Sequence, residues 1–550
     1  MDLQRYFNLL ESKVSPQDSP ELLEKHLKET GGKIVTRMPP EPNFLMHLGH
    51  AKAAFVNFQF AKMNGGYCYM RFDDTNPTKE KQDYIDSMLE DIKWLGHEAY
   101  KVTYTSDYFE ELYNYAIELI KMDKAYVCEL DQDTMQKQRY DMIDSPYRNR
   151  PIEESLDLFR RMRAGEFENN KMTLRLKCDM QSPNPNMRDV VAYRILHAEH
   201  HRTGNKFCIY PGYDYSHPIV DSIENITHSL CSTEFQVRNE LYRWVPTTLK
   251  IYRAPQIEYG KLSVTNTVLS KRKLVELINN KIITDLDDPR LPTLKGLKRR
   301  GYTPEAINDF CYRIGLSLGN TASVSVNYRL LEECIRQDLN TKAPRLMAVL
   351  YPITIHIINL PDSYKQTIQV KDFPDDDLNT NSHEITLSNK VYIERDDFRL
   401  EDSPQYFRLA PGKIVRLKYA GLIKCVNVVE RNGVIHRIEV ELLPQDYKPE
   451  KRVKGTISWV DAKNGVPLEI RKYDHLFPEK LEKTTGDWKD QLNKDSVKIL
   501  SSVTSHTIIS AKPYDRFQFE RIGYFVVDPD TLDQKIVLNM ITSLKEDKNK

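Results

Sequence analysis

Pro42-Asn43-Phe44-Leu45-Met46-His47-Leu48-Gly49-His50 is the stretch on which the fold turns. Upstream of it, Lys33-Ile34-Val35-Thr36-Arg37 reads as a short β-strand, and Pro39, Pro40 and Pro42 carry the chain out of it into a loop. Downstream, the pattern from His47 to Asn64 predicts a helix, stopped by Gly65-Gly66. A loop joining a strand end to a helix start presents backbone N–H groups and the positive end of the helix dipole, an arrangement that favours phosphate. His47 and His50 add donors for phosphate oxygens, and Gly49 between them lets a flat base or ribose approach the backbone. Taken alone, two histidines at a helix start read equally well as capping or core residues.

The pattern continues outward. Tyr67-Cys68-Tyr69-Met70-Arg71-Phe72 is a second apolar strand, Asp73-Asp74-Thr75-Asn76-Pro77 breaks it, and Thr78 to Leu95 has helical periodicity. Strand, helix, strand, helix means a parallel, doubly wound α/β sheet of the Rossmann type. Ser19-Pro20 opens an earlier helix that Gly31-Gly32 closes. From Ser106 to Tyr210 the chain reads as helical and basic, with Arg139, Arg148, Arg150, Arg160, Arg161 and Arg163, and looks inserted between sheet segments. Residues 263–345 read as helices again, with a basic stretch at Lys295, Lys298, Arg299 and Arg300. After residue 346, short apolar runs separated by turns such as Arg431-Asn432-Gly433 and Ala462-Lys463-Asn464-Gly465 predict barrels. The acidic residues Asp372, Asp375, Asp376 and Asp377 read as a solvated loop.

At 550 residues the chain exceeds one hydrophobic core. Its 79 basic residues balance 79 acidic ones, which excludes a uniformly basic nucleic-acid coat and a polyacidic scaffold. Eight scattered cysteines without a Cys-x-x-Cys pair argue against a disulfide framework or zinc ribbon. The N-terminus lacks a signal-peptide pattern. The apolar run Leu346 to Leu360 is interrupted by Pro352 and falls short of the roughly 20 residues a spanning helix needs, so it reads as a buried strand pair. A cytoplasmic setting and no membrane partner are the expectation. His197, His200 and His201 have helical spacing, with Glu199 among them, but no further ligand cluster accompanies them. They read as the return path of the insertion, and no metal site is expected.

A second segment decides the class. Val268-Leu269-Ser270-Lys271-Arg272-Lys273 is by itself a solvated basic face. Following the His47-Leu48-Gly49-His50 segment in this order on a Rossmann pattern, it resembles the second ATP signature of the class I aminoacyl-tRNA synthetases. Thr36 to Asn43, Arg71 to Pro77, Tyr210 to His217, Thr227 to Phe235 and Phe517 to Arg521 are similar to the glutaminyl/glutamyl subgroup. Cys231 and Gln256 match the glutaminyl branch, whereas glutamyl members place an arginine at the first position. A thiol there offers no counter-charge to a buried glutamate side chain.

The resemblance implies seven segments. Residues 1–33 are an N-terminal helical extension, 34–105 and 211–262 are the halves of the Rossmann catalytic domain, and 106–210 is an inserted acceptor-stem-binding domain. Residues 263–345 form a helical subdomain carrying the Lys271 loop, 346–355 with 455–550 a proximal anticodon-binding β-barrel, and 356–454 a distal one. It also implies ATP-dependent ligation of L-glutamine to tRNA(Gln) through an adenylate, with Mg²⁺ carried on the nucleotide, by a monomer. Catalysis falls to His47, His50 and Lys271. ATP falls to Glu41, Pro42, Asn43, His47, Leu48, Gly49, His50, Ala51, Lys52 and Ala53, with Ser232, Lys261, Leu262, Leu269, Ser270 and Lys271.

For the amino acid, the same resemblance gives the α-carboxylate to Arg37 and the α-ammonium group to Asp73 and Tyr213. His217, Cys231 and Gln256 line the side-chain pocket. The anticodon falls to Arg345, Gln405, Arg408, Arg416, Lys418, Gln518 and Arg521, and the segment from Gln405 to Cys425 holds five basic residues and no acidic one. Three positions depart from the family pattern. Phe44 stands where a glycine is usual and is strained if that position needs positive φ. Lys261 replaces an arginine, and Val237 an acceptor-stem aspartate. A glutamyl or non-discriminating synthetase, or a silent RNA-binding paralogue, are the competing readings.

Overall fold

The computed structural model describes residues 8, 17–315, 323–431, 433–481, 486–533 and 535–544. Part of the expected N-terminal extension and Asn432 of the turn at 431–433 therefore lie outside the described residues. Contacts divide the chain into two compact units, Met1–Val264 with Asn308–Val326 and Thr265–Ile307 with Asn327–Lys550.

The first unit opens with α1 (Pro20–Thr30), capped by Ser19 Oγ, which accepts from Leu22 N at 3.3 Å, and ended by Gly31 at φ +61°. Then β1 (Val35–Met38), α2 (Leu48–Met63), β2 (Tyr67–Phe72), α3 (Gln82–Trp94) and β3 (Val102–Tyr104) alternate, and the three strands pair in parallel in the order β1-β2-β3. This is the alternation read from the sequence. Helix α2 packs Val56 and Phe60 into a cluster with Leu230, Ile257 and Tyr259. Gly66 closes the return from α2 to β2, because a Cβ there meets Ile34 O at 1.8 Å.

The insertion differs from its expected helical character. Besides α4 (Phe109–Lys121), α5 (Gln132–Asp141) and α6 (Ile152–Arg163), it holds an antiparallel sheet of β4 (Ala125–Cys128), β5 (Thr173–Leu176), β6 (Val191–Ile195) and β7 (Ile209–Pro211). These strands are three to five residues long, and β4 and β5 are buried on both faces, so no alternation marks them in the sequence. The unit continues with α7 (Tyr213–Ile223), β8 (Ser229–Ser232), α8 (Asn239–Leu249), β9 (Gln256–Tyr259) and β10 (Lys261–Val264), with β8 and β9 parallel.

The stretch expected to be a helical subdomain, 263–345, is shared between the two units. It contains α9 (Lys271–Asn279), α10 (Leu294–Arg300), α11 (Pro304–Ile314) and α12 (Arg329–Lys342), and also β11 (Ser323–Val326), which pairs in parallel with β10.

The second unit contains two seven-stranded sheets. One runs in the order Arg345–Leu346, Arg516–Phe519, Gly523–Val527, Ile536–Ser543, Val466–Tyr473, Val497–Thr504, Ala348–Val349. The other runs Thr456–Ile457, Ile414–Leu417, Gly421–Arg431, Val434–Leu442, Pro352–Ile357, Lys390–Glu394, Trp459–Asp461. In each, the first and last strands are neighbours in sequence, separated by Met347 in one and Ser458 in the other, so each sheet curls nearly shut into a barrel. The expected boundaries move accordingly. Residues 352–355 and 456–461 were expected in the proximal barrel and belong to the distal one, and 346–360 is three short strands rather than one pair. Among the described residues no helix is long and apolar enough to cross a membrane.

Trp459 closes the distal barrel, 1% exposed, with Nε1 donating to Lys418 O at 2.8 Å. Trp459→Ala is expected to lower the unfolding free energy of that barrel by about 3–5 kcal/mol, read by urea denaturation followed by circular dichroism.

Candidate active site

The His47-Leu48-Gly49-His50 segment is a helix cap with a chemical consequence. His47 is the N-cap of α2: its Nδ1 accepts from Gly49 N at 3.1 Å, and His50 Nδ1 accepts from His47 N at 3.2 Å. Burial holds His50 down to about 4 and His47 well below the usual imidazole range, the latter helped by His50 and Lys261. Both rings are therefore neutral near pH 7. With Nδ1 of each accepting, the proton sits on Nε2, so each is a fixed N–H donor rather than a cation. Their rings lie 4.0 Å apart.

Around that cap, Asn43 Nδ2 donates to Glu41 Oε2 at 2.6 Å, and Phe44 is buried. Phe44 is not among the residues at positive φ, so the feared strain is absent. Leu48, Ala51 and Leu262 are buried in the core, and Lys52, 2% exposed, donates to Gly260 O at 2.8 Å. Their side chains thus shape the loop by packing. Ser232 and Lys261 meet at Glu234, at 3.0 and 2.5 Å. Leu269, Ser270 and Lys271 fall in the second unit, with Ser270 as the N-cap and Lys271 as the first residue of α9.

Five expected residues of the amino-acid site line one cleft of about 320 Å³: Arg37, Tyr213, His217, Cys231 and Gln256. Gln256 Nε2 lies 3.3 Å from Cys231 Sγ, and burial pushes that thiol up to about 12, so it stays neutral. Arg37, expected to hold the substrate carboxylate, lines this cleft and also has internal partners. It is 1% exposed and donates to Asp221 Oδ1 (3.0 Å), Leu230 O (3.0 Å) and Ser229 Oγ (2.7 Å), with Nη2 2.7 Å from His217 Nε2. Internal acceptors take the guanidinium because β1 carries it under the cleft floor.

Asp221 also takes Arg71 Nη2 at 2.6 Å and Tyr242 OH at 2.6 Å, while Arg71 Nη1 reaches Glu224 Oε2 at 2.8 Å. The two arginines hold the Asp221 carboxyl well below the usual range against the cost of its burial. Burial also drives His217 well below its ordinary value, so the ring is neutral. Sequence reasoning missed Asp221, Glu224, Arg71 and Tyr242. A signal existed: Tyr213, His217 and Asp221 recur at four-residue spacing along one face of α7.

Asp73 stands apart from the cleft lining. It is buried, and its carboxyl is raised to about 7 by burial and by the charges of Glu41 and Asp74. Glu80 beside it is raised to about 9 by burial and by Asp73 and Asp74, and its buried Oε2 has no hydrogen-bond partner.

Three of the insertion's arginines are held in ion pairs. Arg148 is tied to Asp189 at 2.8 Å, Arg150 to Glu129 at 2.5 Å and Arg163 to Glu110 at 2.7 Å. Val237 is exposed. His197, His200 and His201 lie in an irregular segment rather than on a helix face. His200 and His201 gather with Asp74, but His200 Nε2 already meets Asp74 O at 2.8 Å, and its Nδ1 accepts from Arg202 N and Thr203 N.

On the barrels, Arg345 pairs with Asp375 and donates to Gln518 Oε1 at 3.3 Å. Lys418 pairs with Glu520, and Arg408 and Arg521 share Asp397. Gln405 is exposed, and Arg416 lines a groove with Tyr364, Tyr419, Tyr447, Arg452 and Lys454.

Comparison with known proteins bears on this geometry. Residues 33–341 match the family described as "tRNA synthetases class I (E and Q), catalytic domain", and residues 343–443 and 456–528 match its anti-codon binding domains. A Dictyostelium discoideum protein named "Probable glutamine--tRNA ligase" is 49% identical over 97% of this chain and 68% of its own length. The glutamine–tRNA ligase of Lupinus luteus is 48% identical over 96% and 67%. That of Clostridium perfringens is 45% identical over 93% and 94%. Among solved structures, a glutamate-tRNA synthetase from Elizabethkingia anophelis aligns at 19% identity and TM-score 0.42, over 56% of this chain and 71% of its own.

Proposed function

The chain belongs to the class I tRNA synthetases of the E and Q group, and from that membership we propose that it ligates L-glutamine to tRNA(Gln) with ATP, through a glutaminyl-adenylate. The observation that carries the choice of amino acid is the charge balance under the cleft. Two buried arginines, Arg37 and Arg71, face two buried carboxylates, Asp221 and Glu224; on the cleft lining Arg238 is paired with Asp214, beside a neutral imidazole and a neutral thiol. A neutral amide enters such a pocket without penalty. A second carboxylate, on the substrate side chain, finds no uncommitted counter-charge beside Cys231 and Gln256.

The substrate carboxylate attacks the α-phosphorus of ATP and pyrophosphate leaves. The 2′-hydroxyl of the terminal adenosine then takes the acyl group and AMP leaves. The chain supplies no nucleophile. It orients both reactants and places donors where phosphate charge develops. His47 and His50 do this as neutral Nε2–H donors at the N-terminus of α2, and Lys271 adds a mobile positive charge. Mg²⁺ arrives with the nucleotide as part of that substrate. Asp73, with Glu80 and Glu41 near it, takes the α-ammonium group, and Tyr213 closes over it. On the barrels, tyrosines interleaved with Arg416, Arg452 and Lys454 suit unstacked anticodon bases.

The deciding experiment charges tRNA(Gln) and tRNA(Glu) with each amino acid; charging with glutamate and not glutamine overturns the proposal. Cys231→Arg places a fixed cation in the cleft and is expected to lower kcat/KM for glutamine about 100-fold while admitting glutamate, measured by competitive aminoacylation. Lys271→Ala is expected to slow adenylate formation by about 10²–10³ in pyrophosphate exchange, with tRNA affinity within about twofold. Ionised Asp73 pairs with the ammonium group, and its carboxyl titrates near 7. The KM for glutamine should therefore fall as pH rises through that value, and Asp73→Asn should abolish the trend and raise KM at high pH.

A further inference from the structure

We propose that Asp397 is a positioning residue of the RNA-reading surface, a single buried carboxylate that aims the guanidiniums of Arg408 and Arg521 across the seam between the two barrels. The proposal rests on the reading above that these two arginines meet RNA.

Asp397 is fully buried and ends the short 3₁₀ turn Arg395–Asp397 that follows the distal-barrel strand Lys390–Glu394. Arg521 comes from the other barrel, in the hairpin turn between Arg516–Phe519 and Gly523–Val527. Its two terminal nitrogens donate to the two carboxylate oxygens, Nη1 to Oδ2 and Nη2 to Oδ1, both at 2.8 Å. Arg408 Nη1 reaches Oδ1 of the same carboxylate at 2.8 Å and Asp396 O at 3.3 Å. One acid thus holds two cations from two sheets, and the side chains of those cations remain 45% and 32% exposed.

An ion pair made only for stability needs one partner. Here one carboxylate carries two guanidiniums and so keeps two like charges close together, while both side chains stay partly exposed. The two-pronged fork fixes plane as well as distance, and plane is what hydrogen bonding to a base edge or phosphate requires. The backbone is braced for this. Leu409 N donates to Asp397 O at 3.0 Å and Arg399 N to Leu409 O at 3.1 Å, so Arg408 is carried beside the acid. Arg521 sits at φ +66°, a conformation unusual for a residue with a side chain, and the fork offsets its strain. The adjacent Glu520 accepts from Lys418 and from Tyr419 OH, which pins the same turn from a second side.

The test measures tRNA(Gln) aminoacylation by the full chain with Asp397→Asn, Asp397→Glu, Arg408→Ala and Arg521→Ala. Asp397→Glu keeps the charge and displaces the fork, which guards against a variant that fails to fold. Both Asp397 variants are expected to raise the KM for tRNA about tenfold, with kcat and the KM for glutamine within about twofold. They should also shrink the penalty for a tRNA with one anticodon base replaced. Adding Asp397→Asn to the double arginine variant should have no further effect.

Unchanged KM in both Asp397 variants alongside impaired arginine variants overturns the proposal and leaves the RNA-contact reading standing. A lowered KM in Asp397→Asn overturns it too, since the acid would then compete with RNA. Unchanged KM in the arginine variants overturns both. A parallel loss of melting temperature, kcat and both KM values marks a merely structural pair and also overturns it.

Discussion

The first unit depends on one carboxylate, that of Asp221. It is fully buried, and stripping its hydration costs several kcal/mol before any partner is counted. Arg37 from β1, Arg71 from β2 and Tyr242 from α8 offset that cost with bonds of 3.0, 2.6 and 2.6 Å. Because the partners come from two neighbouring strands and a second helix, the network is also a ruler. It fixes how far α7 stands from the sheet, and so the width of the cleft between Tyr213 and Cys231. The same network sets its chemistry. Arg37 and Arg71 are neutralised from within, and the cleft meets its substrate without net charge.

The phosphate end of the site is built on a different economy of groups. A helix N-terminus leaves backbone N–H donors unpaired. Here His50 and His47 accept two of them, through Nδ1 in each case. The capping bond therefore does more than end the helix: it dictates the tautomer, and burial then removes the charge. The result is two neutral N–H donors held by the same cap.

What was legible in the sequence was local. The strand-loop-helix around His47, the cap at Ser19 and the stop at Gly65-Gly66 each depend on neighbours within a few residues, and the structure has them where periodicity and turn chemistry put them. Relations carried by tertiary contact were not legible. Strands β4 to β7 are too short and too buried to alternate. The barrel boundaries moved because Met347 and Ser458 each divide one run of chain between opposite edges of a sheet. Arg37 was visible as a charged strand residue, but its role was not, since Asp221 lies 184 positions away. Phe44 replaces a glycine without strain because its φ is not positive.

Formal neutrality, 79 charges against 79, is the sum of this same habit of pairing. Arg148 is held by Asp189, Arg163 by Glu110, Lys418 by Glu520, and Arg408 with Arg521 by Asp397. A free lysine on a flexible stem attracts any polyanion and loses that attraction as salt rises. A guanidinium locked to a carboxylate attracts less from afar but presents a fixed plane up close. Paired in this way, the acids set the direction of the basic side chains as well as their sum.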